Sequence, residues 1–353
     1  MKLSVQDDYD ITIGPLTPGH FTELLALGHA GYVLFADTNT VRDCYPRLRA
    51  LLPPDVPVIV APEGEPNKHL GTCQDLWREL FARGVGRRWC ALCLGGGVLA
   101  DMAGFVASTY KRGIDFLQIP TTLLSMVDSS VGGKLGVDFN EVKNSIGVFN
   151  NPVAVWIDPA FLVTLPAREV RSGYAEIVKH ALIADAGQWH ELQNLTDLTG
   201  VDWTAIIPAS VDIKRRIVLE DPFERGLRKA LNFGHTIGHA LESYWLNTDR
   251  RLLHGEAIAA GMIAESWLSA EQHELTDADL QSITTYLLAV YGHQSIPESA
   301  FPALLDLMRQ DKKNEDDRIN FTLLQAPGRA VVNQTAPAER IAAALRYYNG
   351  LSQ

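Results

Sequence analysis

Four cysteines in 353 residues are too few for a disulfide framework. Two of them form Cys90-Ala-Leu-Cys93, inside the apolar run Trp89 to Leu94. Residues three apart on a strand face opposite sides, so the pair reads as small buried strand residues rather than a redox or zinc motif. Basic residues are also in the minority: 31 Lys and Arg stand against 42 Asp and Glu, a formal charge of −11. That balance excludes nucleic acid and an anionic membrane surface as partners, because both are bound by excess Lys and Arg. It leaves room for a small phosphate if a few cations converge. No apolar run reaches the roughly 18 residues of a membrane span. The opening MKLSVQDDYD carries acids where a signal peptide needs an apolar stretch, so the expected compartment is the cytoplasm. There is no internal repeat and no low-complexity segment.

The remainder has ordinary globular composition, 46% hydrophobic and 21% charged, at a length that suggests two domains with a large core. Up to Asp158-Pro159, short apolar runs alternate with helical patterns. Residues 31–36, 56–60, 89–94, 115–119 and 153–157 read as buried strands, and 68–83 reads as a helix between two of them. Such alternation implies βαβ units, hence a Rossmann-like α/β domain with a mainly parallel sheet over residues 1–158. Beyond it the period changes. Residues 167–184, 203–220, 233–246, 254–273, 276–291 and 337–349 place apolar residues three and four apart. Only 318–324 and 330–332, split by a Pro-Gly turn, read as strands. The expectation for 159–353 is a mostly α-helical domain with a small β-hairpin.

Three constellations carry chemistry. Leu94 ends a strand and Gly95-Gly96-Gly97-Val-Leu-Ala100-Asp101 follows, a turn whose glycines let backbone N–H groups approach a pyrophosphate at a helix N-terminus. Two strand–helix units precede it, whereas the dinucleotide fingerprint normally follows the first strand. Asp128-Ser-Ser-Val-Gly-Gly-Lys134 resembles a phosphate loop but lacks the first glycine of a Walker motif. Asn232-Phe-Gly-His235-Thr-Ile-Gly-His239 sets two histidines on one helical face, with glycines expected to leave room beside both, and His254 follows in Leu253-His-Gly-Glu256. Gly173-Tyr-Ala-Glu176-Ile-Val-Lys179 sets a carboxylate and an ammonium one turn apart. One Glu and two His suit catalytic zinc with an open position. Spacing leaves Glu176 with His180 as a rival ligand pair.

With these residues in hand, the chain resembles the 3-dehydroquinate synthase branch of the sugar phosphate cyclase family. The likeness runs from Glu63 to Lys313. Besides the motifs above, it rests on Glu63-Gly-Glu-Pro-Asn-Lys68, Arg112-Gly-Ile, Gln118-Ile-Pro-Thr-Thr-Leu-Leu124, Lys143-Asn-Ser-Ile-Gly147 and Thr164-Leu-Pro-Ala-Arg-Glu169, in that order. The resemblance implies conversion of 3-deoxy-D-arabino-heptulosonate 7-phosphate to 3-dehydroquinate and phosphate in the shikimate pathway. Catalytic NAD and a divalent metal, zinc or cobalt, would serve a transient oxidation at C5. Phosphate elimination, re-reduction and intramolecular aldol closure would follow, with the substrate phosphate as base. It implies that Asp37, Asn39, Glu65 and Lys68 hold the adenosine half of NAD. Gly95, Gly96, Gly97 and Asp101 would take the pyrophosphate and a ribose, with Thr121, Thr122, Lys143 and Thr164 completing the cofactor site. Glu176, His235 and His254 would ligate the metal. Lys134, Lys179, Lys214, Arg228, Asn232 and His239 would surround the substrate, His239 at its phosphate, with Asp128 and Asn144 at its hydroxyls. Lys312 or Lys313 would match a late substrate lysine, and Arg112 would reach the phosphate from the other subunit of a homodimer.

Departures from the family pattern are Asp138 for a common Asn, Val142 for Gly, Ala100 for Gly and Asp221-Pro-Phe-Glu224 for Asp-Glu-x-Glu. None is expected to touch an assigned residue, although Asp138 and Val142 lie beside Asn144, where a change can alter the loop's shape. Rival readings are a cyclase of the 2-epi-5-epi-valiolone or 2-deoxy-scyllo-inosose type, a metal- and NAD-dependent polyol dehydrogenase, or a fold that has lost its chemistry. Asn232 and His239 together favour a substrate carrying a carboxylate, because valiolone-type enzymes typically change both.

Overall fold

The computed structural model describes residues 1–5, 8–140, 142–310 and 319–351. Lys312 and Lys313 therefore lie outside the described residues. The chain divides into two compact units, Met1–Pro166 with Asp202–Arg215, and Ala167–Val201 with Arg216–Gln353.

The first unit contains strands β1 (Lys2–Val5), β2 (Tyr9–Ile13), β3 (Gly31–Asp37), β4 (Val58–Ala61), β5 (Trp89–Gly95), β6 (Asp115–Pro120), β7 (Lys134–Phe139), β8 (Val142–Phe149) and β9 (Ala154–Ile157). Seven of them form one sheet in the order β1-β2-β9-β6-β5-β3-β4. All its pairings are parallel except the β1–β2 edge. The interiors of β3 and β5 are buried on both faces, which is why they read as unbroken apolar runs instead of alternating ones. Helices α1 (Pro18–Ala26), α2 (Thr38–Asp43), α3 (Tyr45–Arg49), α4 (Leu70–Ala82) and α5 (Gly97–Thr109) belong to this unit. The expected helix at 68–83 is α4, which turns Cys73, Leu76 and Leu80 into a core shared with Phe35 of β3 and Met102 and Val106 of α5. The β1–β2 and β7–β8 hairpins add to the expected strands: β2 alternates, with Tyr9, Ile11 and Ile13 buried between Asp10 and Thr12, whereas β8 is largely exposed.

From β3 the chain steps outward to β4, returns to β5, then proceeds the other way to β6 and β9. The carboxyl ends of β3 and β5 thus meet at a topological switch point, where open parallel sheets bind ligands. Asp37 ends one of these strands and Gly95 ends the other.

The second unit is helical: α6 (Ala167–Ala184), α7 (Ala186–Leu192), α8 (Trp203–Glu220, through Arg215 part of the first unit), α9 (His235–Trp245), α10 (His254–Gln272), α11 (Asp277–Tyr291), α12 (Phe301–Arg309) and α13 (Ala338–Gly350). Each helical pattern read from the sequence is present within two residues of its expected ends. The hairpin is β10 (Asn320–Ala326) with β11 (Arg329–Thr335), antiparallel with two register shifts. Helix α10 is buried on nearly every side from Gly255 to Ser269, as expected of a central helix apolar all round. Among the described residues, no helix is long and apolar enough to cross a membrane. Cys44, Cys73, Cys90 and Cys93 are buried free thiols, so the Cys-x-x-Cys pair is strand core.

Candidate active site

In the first unit, Gly96 occupies the cap position of α5 and no side chain caps the helix. The leading N–H groups of a helix have no intrahelical acceptor, so an uncapped start of this kind suits an anion. Two of the three glycines are also imposed by packing. A Cβ on Gly96 would lie 2.9 Å from Thr122 Cγ2, and one on Gly95 would lie 2.5 Å from Leu99 Cδ2. Thr121 donates its N–H to Gly95 O at 3.0 Å, binding the end of β6 to the turn. Thr122 has its hydroxyl 2.9 Å from Ser125 Oγ. At the end of β3, Asp37 Oδ1 accepts the N–H groups of Asn39 and Thr40 at 2.9 and 2.8 Å, leaving Asn39 exposed on the first turn of α2.

Lys68 gathers the rest. Its ammonium, in a side chain 5% exposed, donates to Asp101 Oδ2 at 2.6 Å and Asn144 Oδ1 at 2.7 Å, and Lys143 pairs with Glu65 at 3.4 Å. Burial opposes the charge on Lys68, but Asp101 and Glu65 outweigh it and hold the lysine above its usual value. Asn144, expected at the substrate, thus shares a cluster with residues expected at the cofactor. The Asp138 departure also enters this cluster. Asp138 donates its N–H to Lys68 O at 2.8 Å, and its Oδ1 accepts the Asn144 N–H at 2.7 Å, holding Asn144 at φ +49°. Elsewhere in this unit, Lys214 Nζ is 2.7 Å from Asp128 Oδ1 and also bonds the Asp128 carbonyl. Lys134 opens β7 on the exposed side, and Thr164 ends a short 3₁₀ turn over Pro159–Thr164. Arg112 is exposed and sits at φ +70°, beside Lys111 at +51° and Gly113 at +109°.

In the second unit, Glu176, His235 and His254 offer ligand atoms within 4.8 Å of one another. Glu176 Oε1 lies 3.5 Å from His235 Nε2 and 3.3 Å from His254 Nε2. Each histidine has its other nitrogen engaged: His235 Nδ1 is 3.0 Å from Phe233 O, and His254 Nδ1 is 3.4 Å from Glu242 Oε2. Partners of this kind fix the tautomer and point Nε2 at a metal. Glu176 itself is fully buried, and its Oε2 pairs with Lys179. His239 stacks edge-on with His235 at 5.0 Å between ring centroids, so both face one space. The rival ligand His180 is buried on α6 and also offers a ligand atom within 4.8 Å of Glu176, so that pair remains beside the His235 and His254 set.

Three helices converge here because glycines let them touch. A Cβ on Gly255 would lie 1.9 Å from Ser172 O, and one on Gly261 would lie 2.0 Å from Gly234 O. The glycines of the His-containing segment do not leave room beside the histidines as expected. Gly234 and Gly238 instead receive α10, where added Cβ atoms would meet Met262 at 2.5 Å and Ile258 at 2.7 Å. Gly234 also takes φ +78°, so Asn232 ends a separate 3₁₀ turn (Leu227–Asn232) and the helix starts at His235. Glu256 accepts the Leu253 N–H at 2.9 Å and pairs with Arg168 at 2.7 Å, fixing the first turn of α10 under His254. The Asp221-Pro-Phe-Glu224 departure, though unassigned, holds two assigned residues. Asp221 Oδ2 accepts the Arg228 N–H at 3.0 Å, Pro222 O accepts Arg228 Nη1 at 2.6 Å, and Glu224 Oε1 accepts Asn232 Nδ2 at 3.0 Å. Reading the sequence missed Glu242, whose signal is its i, i+3 spacing from His239.

Burial alone would lower His254, but the hydrogen bonds its ring makes to the Glu176 and Glu242 carboxylates outweigh it and push it up to about 9 from 6.5. A histidine raised on folding contributes stability below its unfolded value and loses it as pH rises through the folded one. Chelator-stripped protein is therefore expected to lose melting temperature between pH 6.5 and about 9. The loss should be smaller in His254→Gln, and parallel melting curves for the two proteins across that range would refute the assignment.

Similarity to known proteins agrees with this architecture. A solved 2-epi-5-epi-valiolone synthase from Streptomyces hygroscopicus, with NAD+ and Zn2+ bound, is 29% identical, with TM-score 0.82 over 97% of each chain. A 2-deoxy-scyllo-inosose synthase complexed with carbaglucose-6-phosphate, NAD+ and Co2+ has TM-score 0.85 over 98% of this chain and 99% of the other, at 24% identity. A probable glycerol dehydrogenase from Sinorhizobium meliloti shares the fold more distantly, at TM-score 0.64 and 14% identity over 97% of this chain and 96% of the other. The fold is thus that of the sugar phosphate cyclases. Family models for the 3-dehydroquinate synthase N-terminal and C-terminal parts match residues 58–172 and 173–314. The 3-dehydroquinate synthases of Parabacteroides distasonis and Idiomarina loihiensis are 39% and 40% identical, over 92% and 96% of this chain and 93% and 96% of theirs. The chain belongs to the 3-dehydroquinate synthase family.

Proposed function

We propose that the protein converts 3-deoxy-D-arabino-heptulosonate 7-phosphate to 3-dehydroquinate and phosphate, using NAD catalytically and one divalent metal. The observation that carries this reading is the Glu176–His235–His254 cluster in a chain 39% identical to a 3-dehydroquinate synthase over 92% of its length. The donor set fits zinc or cobalt: two imidazole nitrogens and a carboxylate oxygen converge, and the outer nitrogens are already engaged. The uncapped start of α5 at the switch point fits a dinucleotide pyrophosphate.

When bound, the metal would polarise a substrate hydroxyl and lower its pKa, and NAD would accept and later return a hydride. The chain's own residues do the rest. Glu65, Lys68, Asp101 and Lys143 would orient the cofactor, with Asp37 and Asn39 at its adenosine end. Lys179, Arg228, Asn232 and His239 would hold substrate anions and hydroxyls, as would Lys134, Asp128, Asn144 and Lys214. Preorganised cations of this kind cost little reorganisation when charge develops on phosphate. An acidic protein thereby recognises a phosphate through a few placed cations.

The test is an assay with purified protein, catalytic NAD, zinc and the heptulosonate phosphate. Stoichiometric phosphate release without accumulating NADH is expected, whereas accumulating NADH would turn the reading to a dehydrogenase. We also propose a homodimer in which Arg112 of one subunit serves the site of the other. Mixing Arg112→Ala with Lys179→Ala protein should then restore activity, toward about a quarter of wild type if random exchange leaves half the chains as mixed dimers with one intact site each. No recovery, with subunit exchange demonstrated, would remove the shared site.

A further inference from the structure

We propose that Glu265, a residue of α10 outside every assigned set, is the positioning residue of the metal centre. The inference rests on the reading of Glu176, His235 and His254 as the metal ligands. Helix α9 begins at His235 behind Gly234, which has no side chain with which to cap it. The cap comes from α10 instead. Glu265 Oε2 accepts the Gly234 N–H at 2.6 Å, and its Oε1 accepts the Ile237 N–H at 3.0 Å. The two anchored amides bracket His235 in sequence, and the Phe233 carbonyl orients its ring. Glu265 is fully buried, yet the partial positive charge of a helix start stabilises a carboxylate there.

Glu265 is one of three fixed points on a single helix. Gly255 seats α10 on Ser172 of α6, the helix that carries Glu176, and Gly261 seats it on Gly234. His254 stands at the start of the same helix. Helix α10 is therefore the ruler that sets His254, His235 and Glu176 at one spacing, and Glu265 is the fixed point that holds the start of α9, while His254 meets Glu242 further along α9. The sequence carries a trace of this: Glu265 interrupts the otherwise apolar and small-residue stretch from Ala257 to Ala264 and Leu268.

Glu265→Gln keeps length and shape but turns an NH2 group toward one of the two amides. In the full chain with NAD, we expect this variant to bind zinc about 10- to 100-fold more weakly in chelator competition. The visible absorption of its Co2+ form should change, and kcat should fall at saturating metal with KM little altered. Wild-type zinc affinity and an unchanged Co2+ spectrum, with only a lowered melting temperature, would reduce Glu265 to a stability role and overturn the proposal. If Glu265→Gln does not fold, Glu265→Asp, which keeps the charge but shortens the reach, must show the same weakening, and wild-type affinity there overturns it equally. His254→Ala separates the two levels: zinc retained in that variant sinks the metal reading itself. Zinc lost there but kept in Glu265→Gln sinks only the positioning role.

Discussion

His254→Ala is expected to abolish bound metal and activity together. Metal content should fall from one per chain to none, and turnover should drop by about a thousandfold or more, a loss of roughly 4 kcal/mol of charge stabilisation. The reason is geometric. Glu176 Oε1 has two imidazole nitrogens within 3.5 Å, and removing one leaves a single carboxylate and a single imidazole, too few for a zinc seat. The vacated side also leaves Glu242 without the ring it orients. Full metal occupancy in His254→Ala, measured by elemental analysis after dialysis, would refute the ligand assignment whatever the activity. Activity lost with metal retained would instead place His254 on the substrate.

Gly255→Ala is expected to be nearly as damaging without touching a ligand. The added methyl would stand 1.9 Å from Ser172 O, a backbone atom that cannot swing aside as a side chain can. Overpacking a tight crossing costs about 1–3 kcal/mol and occasionally more, and this contact lies at the severe end. For a unit of this size, a loss of about 3 kcal/mol lowers the melting temperature by roughly 6–12 °C. Relief of the clash must push α10 away from α6, and His254 moves with it while Glu176 stays. Weaker zinc binding should therefore accompany the lower melting temperature. A variant that melts at the wild-type temperature would show that the helices do not cross as closely as described.

Much of this was legible in sequence because the informative residues sit at element ends or at fixed helical spacing. The strand–glycine–helix turn at Gly95–Gly97 announces itself locally, and so do the i, i+4 histidines of α9. The buried strands β3 and β5 were plain as apolar runs. The small hairpins were not: β8 is largely exposed along its length, so no hydrophobic alternation marks it. The glycines beside His235 and His239 were misread because their purpose is tertiary. Nothing within eight residues of Gly234 says that Met262 and Ile258 will fill the space. The expectation that no departure touches an assigned residue also fails, because folding brings the Asp138 and Asp221 carboxylates to the amides of Asn144 and Arg228, and only the Asp138 contact is near in sequence. Local chemistry can be read along the chain, whereas the residues that hold it in place become visible only across it.

Glu176 faces two ways, with Oε1 toward the histidines and Oε2 on the ammonium of Lys179. Two occupants of one carboxylate are coupled through it. A cation held at Oε1, as proposed, would draw negative charge from Oε2 and weaken its hold on Lys179, leaving that ammonium more available to another anion. Such coupling is reciprocal, so an anion that engages Lys179 returns charge to Oε1 and tightens the cation by the same factor. On the proposed assignments, cation and substrate anion would thus favour each other's binding through a single buried side chain.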